Sequence, residues 1–169
     1  MKIRTDFVTN SSSSSFILAY KDEKEALLDI FNAIGTPSDD YEYDDTKEAY
    51  RIFADLKRPE NKKSKDEVIQ DYLESISWYP VRHKIEDRFR NELGLGYKEF
   101  GEWKKVKKNE AKIKKEVEEV LKEKEKELRA KLDGKDFVVI LDYEDHFPES
   151  VAYDICYGLH GLAQIIDNH

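Results

Sequence analysis

Residues able to do chemistry concentrate at the C-terminal end of the sequence. Asp142, Glu144, Asp145 and His146 follow an apolar run, and Asp167 and His169 close the chain. Imidazole titrates near neutrality and ionised carboxylates are hard oxygen ligands. Brought together, Asp142, Asp145, His146, Asp167 and His169 could therefore hold a divalent metal or act as general acid and base. The plainer reading is that these are loop residues, with Asp145 or Glu149 capping a helix and His169 at a terminus that frays. No fixed metal-ligand spacing favours the sharper view.

A second pair, Cys156 and His160, lies four residues apart, one helical turn. A Cys-His nucleophile normally also needs an orienting partner and an oxyanion pocket, so a buried cysteine beside a solvent-facing histidine is the expectation. Around Trp103 and Phe100 the lysines Lys104, Lys105, Lys107, Lys108, Lys112, Lys114 and Lys115 could neutralise phosphates while an aromatic ring stacks on a base. They encircle their helix rather than line one face, which favours a solvated helix. His83 lies among Arg82, Lys84 and Arg88, where exposure is expected.

Strands must position the first group. Phe137 to Leu141 is an uninterrupted, β-branched apolar run, the pattern of a central strand buried on both faces. Leu162 to Ile166 reads as another strand, and Glu149 to Leu159 between them as a helix with Pro148 at its entrance. A connection of this kind predicts a right-handed crossover between parallel neighbours, whose carboxyl ends would gather the carboxylates and histidines. Strands are also expected near 2–8 and 16–20, the first from the alternation of Ile3, Thr5 and Phe7. The fold class predicted is α/β, a small mainly parallel sheet with strands near 2–8, 16–20, 137–142 and 162–166.

Helices fill the middle. Asp22 and Glu25 have capping-box spacing ahead of Ala26, Leu27, Ile30, Phe31 and Ile34 on one face. Further helices are predicted over 46–57, from Ser64 to Trp78 and Tyr79, and again from Pro80 to Leu93. The longest spans about 98–132, about 50 Å if continuous, with a break expected near Gly101. Its apolar residues Trp103, Val106, Ile113, Val117, Val120, Leu121, Leu128 and Leu132 form a narrow seam near a seven-residue repeat. Such a seam is an interaction surface for one partner helix, either an earlier helix of this chain or the same helix of a second subunit. The expected organisation is a single α/β domain over 1–169 with a helical insertion at about 44–132.

Charge and size bound the function. The formal net charge is -8, and residues 104–131 carry about +5 of the balance, leaving about -13 on the rest. An acidic chain with one basic arm is a poor general ligand for nucleic acid. The acidic, aromatic stretch Tyr41, Glu42, Tyr43, Asp44 and Asp45 could instead meet a basic protein surface. One cysteine allows no internal disulfide, the start lacks a secretory apolar run, and no run approaches the roughly 18 apolar residues of a membrane span. A cytoplasmic protein is expected, with no membrane partner and no cofactor apart from the candidate divalent metal.

Residues Ile3 to Ile17, Ile-Arg-Thr-Asp-Phe-Val-Thr-Asn followed by five serines, Phe and Ile, resemble the start of a group of uncharacterised proteins from Gram-positive, chiefly clostridial, bacteria. The resemblance implies a bacterial source and carries no catalytic residue; a start shared by divergent bodies would suit a tag read by a processing or modifying partner. Read on their own, Ser11, Ser12, Ser13, Ser14 and Ser15 could form an anion-binding turn, a modification site or a connector, and the missing glycines favour the connector. The function expected is a non-enzymatic protein-interaction or regulatory module. A small metal-dependent or acid-base enzyme is the first alternative and nucleic-acid binding through the basic helix the second.

Overall fold

Burial of every residue from Phe16 to Tyr20 puts their strand at the middle of a sheet rather than at its edge. The computed structural model describes residues 13–34, 43–144 and 150–168, with β1 at Ser13–Tyr20, β2 at Phe137–Glu144 and β3 at Leu162–Asn168. The sheet order is β2-β1-β3, and both flanking strands run antiparallel to β1. This corrects the mainly parallel α/β expectation. Strands β2 and β3 do point the same way, but β1 lies between them, as in a split βαβ unit. Inserting β1 satisfies its backbone N–H and C=O groups on both sides, and β2, read from sequence as central, becomes an edge.

The free side of β2 is partly covered. A short 3-10 turn at Pro59–Asn61 leads the chain alongside it, where Lys62 bridges to Val139 and the Lys63 N–H donates to the Val138 carbonyl. Covering an edge in this way blunts further strand pairing.

By contact density the chain divides into two compact units, residues Met1–Ser64 with Gly134–His169, and Lys65–Asp133. In the first, Phe16, Leu18 and Tyr20 alternate onto one face with Val139, Leu141 and Tyr143. That face is covered by α1 (Glu23–Ile34), α2 (Tyr43–Lys57) and α7 (Ser150–Gly158), which contribute Ala26, Ile30, Ile52, Leu56, Ala152 and Cys156. Helix α2 thus belongs with the sheet, and the helical unit begins later than the predicted 44.

The second unit is entirely helical: α3 (Lys65–Ile76), a π-helical stretch (Ser77–His83), α4 (Lys84–Glu92), α5 (Tyr97–Lys104) and α6 (Lys107–Leu132). Pro80 does not start a new helix, as read from sequence. The wider π turn accommodates a residue with no N–H while the helix continues. Contacts with α6 reverse across this stretch. Asp66 pairs with Arg129 and Tyr72 lies near Lys124, an antiparallel pattern, whereas Arg82 pairs with Glu110 and Arg88 with Glu116, a parallel one. The predicted long helix breaks at Val106, whose backbone is extended, and not at Gly101. The Asn109 side chain donates to the Trp103 carbonyl across the break at 2.9 Å.

The predicted strand at 2–8, Ser11 and Ser12, and Tyr41 and Glu42 of the acidic stretch lie outside the described residues, whereas Tyr43, Asp44 and Asp45 are the first residues of α2. Ser13, Ser14 and Ser15 are not a connector. They form the first part of β1, paired on both sides, with Ser14 buried. Their backbone groups serve the ladder and so do not form an anion-binding nest.

Candidate functional site

Three chain segments meet at the end of β1 in the sheet unit. Helix α1 starts as its sequence demands, with Asp22 Oδ1 accepting from the Glu25 N–H at 2.9 Å. Two turns later it presents Asp29 to Tyr20, the last residue of β1, and to the turn that follows α7. Asp29 Oδ2 accepts from the Tyr20 hydroxyl at 2.9 Å and from the Gly161 N–H at 3.1 Å. Its Oδ1 lies 2.9 Å from His160 Nδ1. A carboxylate only accepts, so Nδ1 carries the hydrogen and Nε2 is left as the free ring nitrogen.

The two partners differ in access to water. The Asp29 side chain is 10% exposed and that of His160 97%. Burial works to raise the Asp29 pKa, but donation from His160, Gly161 and Tyr20 outweighs it and holds the carboxyl below its usual range. Burial, reinforced by the Asp29 charge, pushes the Tyr20 phenol up, so it remains a donor. Beside this cluster is an open hollow of about 310 Å3, lined by Tyr20, Leu28, Asp29, Asn32, Lys135 and His160. An ionised carboxylate orienting an exposed imidazole is the arrangement by which a histidine is prepared to accept a proton.

The helical unit has a different character. Trp78 and Tyr79 on the π stretch are 71% and 61% exposed. The Arg82 guanidinium lies 5.2 Å from the Trp78 ring centre, and the Tyr79 and His83 rings are 5.2 Å apart. Arg82 is fixed from behind by Glu86 at 2.9 Å and Glu110 at 2.7 Å, and Lys104 closes on Glu86 at 2.6 Å. Burial alone would raise the Glu86 pKa, but Lys104 and Arg82 together lower it. Next to the π stretch, α3 and α6 bound a groove of about 640 Å3. Its floor includes Ile69, Leu73 and Leu121, and Ser77 lines the end beside Trp78.

Of the residues singled out from sequence, Asp142 is exposed on β2 opposite Ser15, and Asp167 stands on β3 opposite Ser14. They are two strands apart, about 10 Å, and one position out of step, because the parallel neighbours that would have joined them are separated by β1. Asp145, His146 and His169 lie outside the described residues. Among the described residues, no three His, Cys, Asp or Glu side chains gather to hold a metal ion. Cys156 is buried in the sheet core, where burial pushes its thiol up, and His160 faces solvent just beyond α7, as expected.

The α6 seam is taken up within its own unit. Ile113 is buried with Val81, Ile85 and Phe100, and Trp103, Val117, Val120 and Leu121 pack on that cluster. Leu128 and Leu132 are buried too, and Val106 is half exposed. Sequence reasoning missed Asp29 and Tyr20, and with Asp29 the partner of His160. Among the described residues, no helix is long and apolar enough to cross a membrane. Family models, curated proteins and solved structures contain no match to the chain.

Proposed function

We propose that this chain is a protein-recognition module whose binding face is the π-helical stretch of the helical unit with the groove that adjoins it. The observation that carries this reading is the exposure of Trp78 and Tyr79, adjacent large aromatics on a regular helical element. Aromatic and arginine side chains dominate the binding energy of protein interfaces, because they bring large contact area with few rotors to freeze. Here Arg82 is held against Trp78 by two glutamates, so little order would remain to be lost on binding.

The groove narrows the partner's chemistry. Its floor is apolar, and its rim stays net acidic, with Asp66 and Glu125 both paired to Arg129 and Glu74 in addition. A basic, amphipathic segment of another protein fits such a surface. Nucleic acid is the weaker reading, since Lys104, Lys105, Lys115 and Lys124 each meet a glutamate of this chain. The α6 seam serves less well as the contact surface, because most of it is already packed.

The test compares chains purified from native-host cells. W78A/Y79A should lose a stoichiometric co-purifying protein that the wild type and Phe31→Ala retain. Phe31 is a fair control at 60% exposure on α1. All three should melt within a degree or two of one another, since exposed substitutions change stability by about 0.5 kcal/mol or less. An unchanged set of companions in W78A/Y79A contradicts the reading.

A further inference from the structure

We propose that Asp29 and His160 form a general-base pair that hydrolyses small acyl esters seated in the adjoining hollow. The geometry meets the first requirement of such a site, a base held by an orienting group. Asp29 is fixed by the Tyr20 hydroxyl and the Gly161 N–H and accepts a hydrogen bond from His160 Nδ1 at 2.9 Å, leaving Nε2 toward solvent. The second requirement is a place for substrate. The hollow of about 310 Å3 offers Leu28 and the Tyr20 ring as apolar wall and Lys135 and Asn32 as polar donors, with the Glu25 carboxylate, which accepts from the Lys21 N–H, also in its lining. This size suits an acyl group of a few carbons.

The attacking group follows from what lines the hollow. The Tyr20 hydroxyl is engaged with Asp29, and Cys156 is enclosed in the core. Water is the available nucleophile. His160 Nε2 takes a proton from a water molecule as the water oxygen bonds to the acyl carbon, giving a tetrahedral oxyanion that Lys135 and Asn32 can stabilise. The carbon–oxygen bond to the alcohol then breaks, and the imidazolium returns its proton to the departing alkoxide. Acid and alcohol leave, and the imidazole is restored. Throughout, Asp29 remains a carboxylate that compensates the imidazolium charge.

The probe is 4-nitrophenyl acetate, hydrolysed by the full chain. His160→Asn should lower kcat/KM by about a hundredfold or more, the usual worth of a positioned base. It should leave the fold intact, since the side chain is almost wholly exposed. Asp29→Asn should also lower kcat/KM with KM nearly unchanged. The wild-type rate should fall in D2O, because a proton moves in the transition state. A wild-type rate no greater than that of equimolar imidazole, or full activity in His160→Asn, overturns the proposal. So does a nitrophenol burst at a rate insensitive to D2O, which would make the imidazole a nucleophile.

Discussion

Gly161 and Tyr20 occupy space that only a glycine allows: a Cβ built on Gly161 would overlap the Tyr20 ring. The close approach lets the Gly161 N–H and the Tyr20 hydroxyl reach the same oxygen of Asp29, while the Gly161 carbonyl accepts from the Ala19 N–H at 2.8 Å. Gly161→Ala should therefore destabilise the protein by about 1–3 kcal/mol, the range of overpacked sites. Urea denaturation checks it. Gly158→Ala is the control, since nothing lies within 4 Å of a Cβ there.

Buried polar pairing holds α2 to β2. The Tyr143 hydroxyl donates to Asp55 Oδ2 at 2.8 Å in the core of the sheet unit. Arg58 approaches Asp55 Oδ1 at 3.1 Å without an aligned hydrogen bond, so that oxygen depends on charge alone. Tyr143→Phe removes the best-aligned donor to the carboxylate and should cost about 1–3 kcal/mol in chemical denaturation. An unchanged midpoint would mean that the charges of Arg58 and Arg51, the latter 3.6 Å from Asp55 Oδ2, suffice.

Acid should weaken both units, and the sign can be worked out. Asp29 and Glu86 have carboxyl groups held below their usual values in the folded chain. A depressed carboxyl contributes stability above its unfolded value, about 4, and loses it as pH falls through the folded one. Melting temperature should thus drop steeply below about pH 4, and Asp29→Asn or Glu86→Gln should each flatten that limb. A limb of the same slope in both variants would place the acid sensitivity elsewhere.

How far these features could be read beforehand differs by level. Phe137 to Leu141 and Leu162 to Ile166 are legible as strands, because apolar runs bounded by turn residues need only local information. Strand order is not local. It depended on where Phe16 to Tyr20 inserted, and a run buried on both faces fits a parallel sheet as well as a central antiparallel strand. The Asp29 site was invisible for a related reason: Asp29 falls on the polar side of an ordinary amphipathic helix, and its partner His160 is 131 residues away. At Pro80 the usual rule that proline starts or ends a helix failed, since a wider turn can absorb it. The break falls at Val106, rather than Gly101, where the Asn109 side chain donates to the Trp103 carbonyl.

Packing of the α6 seam inside its own unit makes a further prediction. Ile113 is buried against Val81, Ile85 and Phe100, so Ile113→Ala should cost about 2–5 kcal/mol. The denaturation midpoint should not move with protein concentration. Dependence on concentration would show that a second copy, and not α4 and α5, covers the seam.

Site-directed photocrosslinking in native-host cells tests the recognition face most directly, with benzoylphenylalanine in place of Tyr79 and, separately, of Phe31. Both positions are about equally exposed, at 61% and 60%. One dominant protein adduct from position 79 and none from position 31 is the expected result. Adducts at neither position, or the same adducts at both, would contradict a binding face on the π-helical stretch.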